Sequence, residues 1–123
     1  MTYEAMTVVR VPFPFTDRST TKRRPAVVLS ASQVFNVPAG HSVMAMITSA
    51  SHRPWPLDHL IEDLATAGLS APSRVRFKLF TLDHRLVQGT IGCLGSGDVL
   101  AVGQSLATLF RLTAMGQGMT DPG

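Results

Sequence analysis

Residues 11–30, VPFPFTDRSTTKRRPAVVLS, constrain the fold most, because an apolar strand, a turn rich in hydroxyls and bases, and a second apolar strand follow without a break. Val8 to Val11 and Ala26 to Leu29 are β-branched or aliphatic, and Pro12, Pro14 and Pro25 bound them. Such runs predict strands whose entry points lack a backbone donor. The turn carries Asp17, Arg18, Ser19, Thr20, Thr21, Lys22, Arg23 and Arg24, so four of the chain's eleven Lys and Arg residues fall within seven positions. A cluster of this kind binds a polyanion such as a phosphodiester backbone more readily than it stabilises a core. The alternative is a solvated hairpin tip.

Further strands follow. Ser42 to Thr48 is rich in residues of buried type and predicts a third strand, which leaves the hydroxyls of Thr48 and Ser49 at its end. Arg74 to Phe80 alternates, with Val75, Phe77 and Leu79 on an apolar face and Arg74, Arg76 and Lys78 in a row on the other. Val87 to Cys93 reads as its partner strand. Gly97 to Leu112 predicts the one long helix, with Ser96 as N-cap, Asp98 in the first turn, and Val99, Val102, Leu106, Leu109 and Phe110 facing the sheet. Short strands and one late helix predict a mainly β fold, a compact and strongly curved antiparallel sheet whose tight turns use Gly68, Gly92 and Gly95. Phe13 and Phe15 are expected in its core.

At 123 residues and 45% hydrophobic content, the chain has apolar material for one core. A single domain over residues 1–113 is expected, followed by a disordered tail over 114–123. The net charge of +3 and the sequence pI of 9.8 would attract a polyanionic partner without demanding one. Cys93 is alone, which rules out an intramolecular disulfide and suits a reducing cytoplasm. The first fifteen residues do not resemble a signal peptide, and no apolar stretch approaches the roughly 20 residues of a membrane-spanning helix.

Five blocks in order carry a family resemblance: Val11 to Asp17, Lys22 to Ser30, Met46 to Ser49, Ala67 to Ser73, and Lys78 to Asp83 with Ile91 and Gly92 beyond. Together they cover roughly residues 7–112 and resemble the MazF/PemK-like toxins. The resemblance implies an SH3-like barrel, the toxin fold that the gyrase poisons share. It also implies a homodimeric endoribonuclease of a type II toxin–antitoxin pair, cutting single-stranded RNA and silenced by a cognate antitoxin, with no cofactor and no membrane. Residues 57–64, LDHLIEDL, have helical spacing, but the resemblance places a short strand near Leu60 and Ile61, and a strand is expected there.

Cleaving RNA through its own 2′-hydroxyl requires a proton acceptor, a proton donor and a cation for the charge that builds on phosphorus. A guanidinium suits the last role, since its planar fork holds two phosphoryl oxygens and keeps its charge. Arg24 matches the family's catalytic arginine, and Thr48 matches its second catalytic position. Ser19, Thr20, Lys22, Arg23, Ser49, Arg76 and Lys78 are expected to contact RNA. Trp55, between Pro54 and Pro56, is a candidate base-stacking platform or a loop aromatic covering the core edge.

No metal site stands out, because His41, His52, His59 and His84 lack the paired Cys or carboxylate spacing of a metal centre; each reads as a surface histidine. No G-x-S-x-G elbow occurs. The chain has Met6 and Thr7 where many family members have Gly-Asp, and Val75-Arg76 leads into Phe77-Lys78 where some members carry an acid. The general base is therefore unassigned. A non-catalytic RNA- or protein-binding member of the same fold, and a gyrase-poison-like toxin, are the alternative functions.

Overall fold

The structure is a computed structural model and describes residues 3–13 and 22–112. The predicted tail from residue 114, and Ser19 and Thr20 in the first turn, lie outside the described residues. Six strands form one sheet: β1 (Thr7–Phe13), β2 (Lys22–Val28), β3 (His41–Ser49), β4 (His59–Leu60), β5 (Ser73–Asp83) and β6 (Gly89–Cys93). Their order is β4-β5-β3-β2-β1-β6, with every pair antiparallel. Between β2 and β3 a π-helical turn (Ser32–Asn36) runs into the short helix α1 (Val37–Ala39); α2 (Leu64–Ala67) precedes β5, and α3 (Ser96–Phe110) closes the described chain.

Alternation along the strands builds two cores. One face gives Val8, Val27, Ala45, Ile47, Val75 and Phe77, covered by Val99, Val102 and Leu106 of α3. The other face gives Val9, Val11, Ala26, Val28, Met44 and Leu82, closed at one side by Tyr3. The sheet curls over this second cluster as an SH3-like half-barrel, which explains how both faces are dry with one long helix. Register shifts between Val8 and Val9 and between Ala45 and Met46 add the local twist such curvature needs.

Pro12 and Pro25 sit inside the strands rather than at their entries. Pro12 pairs with Arg23, and Pro25 with Arg10. Each is placed where its strand has a single neighbour, because β6 pairs β1 only as far as Arg10 and β3 pairs β2 only from Ala26. A missing N–H there breaks no ladder. One consequence is that Lys22, Arg23 and Arg24 belong to β2 and not to a loop.

Three other expectations change, in the strand after β5, in α3 and at Gly92, while the short strand expected within 57–64 is met by β4. The strand after β5 pairs with β1 across the barrel and not with β5, because the turn His84–Leu86 redirects the chain. The 57–64 segment holds the two-residue β4, and a helical turn follows at Leu64–Ala67. In α3, Gly95 and not Ser96 occupies the N-cap, and Leu109 and Phe110 at the far end are exposed. Gly92 serves a close approach and not a turn: a Cβ there would lie 2.5 Å from the Ala67 carbonyl, and one at Gly68 would lie 1.9 Å from the Ile91 oxygen. These two glycines let α2 press on β6.

Asp98 joins α3 to β4. It is buried at 2% exposure; Oδ1 accepts from Glu62 N–H (2.9 Å) and faces His59 Nε2 (2.6 Å), while Oδ2 accepts from Asp63 N–H (3.0 Å). Burial pushes this carboxyl's pKa up, but the Glu62, Asp63 and His59 bonds outweigh it and hold the pKa below the ordinary value.

Candidate active site

The second face of the sheet changes character along its length. On β2 the row Val28, Ala26 continues to Arg24; on β3 Met44 and Met46 continue to Thr48; on β5 Leu82 and Phe80 continue to Lys78 and Arg76. Side chains two apart share a face, so the apolar cluster becomes polar at one end without a change of fold. There a pocket of about 230 Å³ is lined by Phe13, Arg24, Met46, Ile47, Thr48, His52, Arg76 and Lys78. The register irregularity facing Phe77 and Lys78, where Ala45 pairs with Leu79 and Met46 with Arg76, lies beside it. Bulges of this sort re-aim side chains at sites.

The cations differ in how they are matched. Arg76 donates to Asp58 from Nε to Oδ1 (3.3 Å) and from Nη2 to Oδ2 (2.9 Å), and Nη2 also reaches the Arg53 carbonyl (2.6 Å). Asp58 is nearly buried and also accepts from Trp55 N–H at 2.9 Å. Lys78 Nζ lies 4.7 Å from the Trp55 ring centroid and Arg76 Cζ 5.8 Å from it, so two cations lie against one aromatic ring. Arg24 Cζ lies 5.4 Å from the Phe13 ring, and its buried Nε has no hydrogen-bond partner among the described residues. Among the described residues no carboxylate pairs with Arg24 or Lys78. Thr48 Oγ1 and His52 Nδ1 are 2.6 Å apart.

A family model described as PemK-like, MazF-like toxin of type II toxin-antitoxin system matches residues 4–110. The chain belongs to this toxin family. Solved structures agree on the fold. MazF of Deinococcus radiodurans (Form-I) is 22% identical with a TM-score of 0.68, covering 90% of this chain and 98% of that one. A MazE–MazF crystal structure from Deinococcus radiodurans (Form-II) gives 22% and 0.67, covering 89% and 96%. An endoribonuclease in complex with its cognate antitoxin, from a mycobacterial species, gives 17% and 0.69 over the same shares. No curated protein matches the chain.

In this toxin the pocket brings together Arg24, Thr48, Arg76 and Lys78, with Trp55 stacked at its rim. It does not gather the others. Arg23 and Lys22 are exposed, and alternation turns Arg23 to the opposite face from Arg24. Ser49 also points away from Thr48, and its hydroxyl engages Ser51 Oγ (2.8 Å) and Ser51 N–H (3.2 Å). Phe13, expected in the core, is 39% exposed and forms part of the pocket wall.

Two residues escaped the sequence. His52 is exposed, as a surface histidine should be, but its ring lines the pocket. Asp58 supplies the acid that no strand position offers, from a turn in which Asp58 N–H bonds the Trp55 carbonyl at 3.0 Å. The Pro54-Trp55-Pro56 run signals a tight loop, but nothing in it says against which strand the loop folds. No helix of the described residues is long and apolar enough to cross a membrane.

Proposed function

We propose that this toxin is an endoribonuclease that cleaves single-stranded RNA, with Arg24 and Thr48 as its catalytic residues. The observation that carries the reading is the contrast between two guanidiniums in one pocket: Arg76 is neutralised by Asp58, whereas Arg24 has no carboxylate among the described residues and lines the pocket together with Thr48. A partly buried, uncompensated guanidinium supports the binding of a phosphoryl group. Its charge is worth most where negative charge grows as the 2′-oxygen adds to phosphorus. Thr48 donates a hydrogen bond to a second phosphoryl oxygen. Lys78 and Arg76 flank the strand, and Trp55 stacks an unpaired base. Lys22, Ser19 and Thr20 extend the contact along the backbone, whereas Arg23 and Ser49 lie on the opposite face.

The assembly belongs to the same reading. A homodimer would set two such pockets along one groove, wide enough for an extended strand. A cognate antitoxin with acidic and apolar residues would deny RNA that basic groove by folding into it. The deciding experiment incubates the purified toxin with a long RNA in EDTA and maps the cut ends. Discrete cuts that vanish in Arg24→Ala are expected. RNA binding without cuts would favour the non-catalytic alternative.

A further inference from the structure

We propose that His52 is the general base of this site, its Nε2 taking the proton of the attacking 2′-hydroxyl; the proposal rests on the endoribonuclease reading. The carrying observation is the 2.6 Å contact between His52 Nδ1 and Thr48 Oγ1, in a pocket that both residues line with Arg24. His52 Nε2 makes no hydrogen bond among the described residues and remains available.

The tautomer follows from proton counting. A threonine hydroxyl has one hydrogen. If Thr48 gives it to a phosphoryl oxygen, Oγ1 can only accept from His52, so the ring proton sits on Nδ1. Nε2 then carries the lone pair, which is the form a base needs. One contact thus orients the ring, fixes its tautomer and aims the threonine.

The other lining residues cannot replace it. Arg24, Arg76 and Lys78 are cations, and Asp58, which does not line the pocket, is held by Arg76 and the Trp55 N–H. In the step, the bond from O2′ to phosphorus forms and the bond from phosphorus to O5′ breaks. The O2′ proton passes to Nε2, the departing O5′ takes a proton from water, and the hydroxide left behind recovers the proton from His52 Nε2. The products are a 2′,3′-cyclic phosphate and a 5′-hydroxyl, so charge and atoms balance. The charged groups that line the pocket with the imidazole are Arg24 from β2 and Arg76 and Lys78 from β5; Asp58 pairs with Arg76, and Arg74, across from Thr48, bonds the Ala50 carbonyl.

The test compares His52→Ala and His52→Asn with the wild type in single-turnover cleavage of an RNA oligonucleotide across pH, with RNA affinity measured alongside. The wild-type rate should rise with pH as the base loses its proton and then level off. His52→Ala should lose about 10²- to 10⁴-fold in rate, lose the acid limb, keep its affinity for RNA within about threefold, and regain rate with added imidazole. His52→Asn can still donate to Thr48 but cannot accept the proton, so it should be as slow as His52→Ala. A near-wild-type rate in His52→Asn would reduce the residue to positioning Thr48 and overturn the assignment, as would an unchanged pH profile in His52→Ala. Activity lost in Arg24→Ala but retained in both His52 variants sinks this inference alone. No cleavage by the wild type removes the endoribonuclease reading, and this inference with it.

Discussion

Asp58 grips Arg76 with both carboxylate oxygens, and its Oδ2 also accepts from the Trp55 N–H. One nearly buried acid therefore ties the Trp55 loop to β5 and cancels one of the pocket's cations. Removing it leaves the Arg76 guanidinium and the Trp55 N–H without their partner. Asp58→Ala is expected to cost about 2 to 3 kcal/mol of stability, read as a lower urea midpoint. RNA affinity in the same variant should become more salt-dependent, because a freed cation joins the binding surface.

Among the described residues Arg24 has no such partner, which leaves its charge for a ligand. Arg24→Ala is expected to lower cleavage by about 10²- to 10³-fold, the usual loss when a donor aimed at developing charge is removed. The melting temperature should hardly move, since the variant breaks no ion pair among the described residues. Arg24→Lys should fall between the two, keeping the charge and losing the planar fork. Full activity in Arg24→Ala would remove this residue from the mechanism.

Trp55 is 42% exposed, with Lys78 and Arg76 against its ring. A base stacked on it is worth roughly 1 to 3 kcal/mol, so Trp55→Ala should weaken binding of a short single-stranded RNA by about 5- to 150-fold. Trp55→Phe should restore most of that. Fluorescence titration of the single tryptophan in the wild type provides an independent readout, and quenching by RNA is expected.

Acid stability should depend on Asp98. Its carboxyl, with an ordinary value of 3.8, titrates lower when folded. The unfolded chain therefore takes up the proton first, and the stabilisation, complete above the ordinary value, is lost as pH falls through the folded one. Urea midpoints measured between about pH 2 and pH 5 should fall less steeply in Asp98→Asn than in the wild type. That variant should also be less stable at neutral pH, because an amide cannot accept from the Glu62 and Asp63 N–H groups and His59 as the carboxylate does.

The proposed homodimer should bury more than about 1,200 Å² in total, the range of specific interfaces. Light scattering at micromolar concentration is expected to give twice the chain mass of 13.2 kDa. A monomer that still cleaves RNA would show that one pocket suffices.

Much of the fold was legible because it is written in alternation. The β-branched runs around Val9 and Val27, the alternation from Arg74 to Phe80 and the apolar stripe of α3 each identify an element from local spacing alone. Arg24 and Thr48 were legible through the motif blocks that hold them. Where strands pair is not local, and that is why β6 was assigned to β5 when it closes on β1. The same limit placed Lys22 to Arg24 on a loop: only the pairing of β2 with β1 extends the strand that far.

What the sequence by itself determined is a mainly β chain with a late helix, a basic cluster near its start, and an arginine and a threonine at matching positions. The tertiary structure decided which charges count. Arg24 and Arg76 are 52 positions apart and chemically identical as residues, yet among the described residues only Arg76 meets a carboxylate, because the Asp58 turn folds against β5 and not against β2. His52 likewise acquires a role only because the chain leaving β3 bends back on Thr48. Charge pairing falls off within a few ångströms while sequence separation says nothing about distance, so the electrostatics of the site had to wait for the fold.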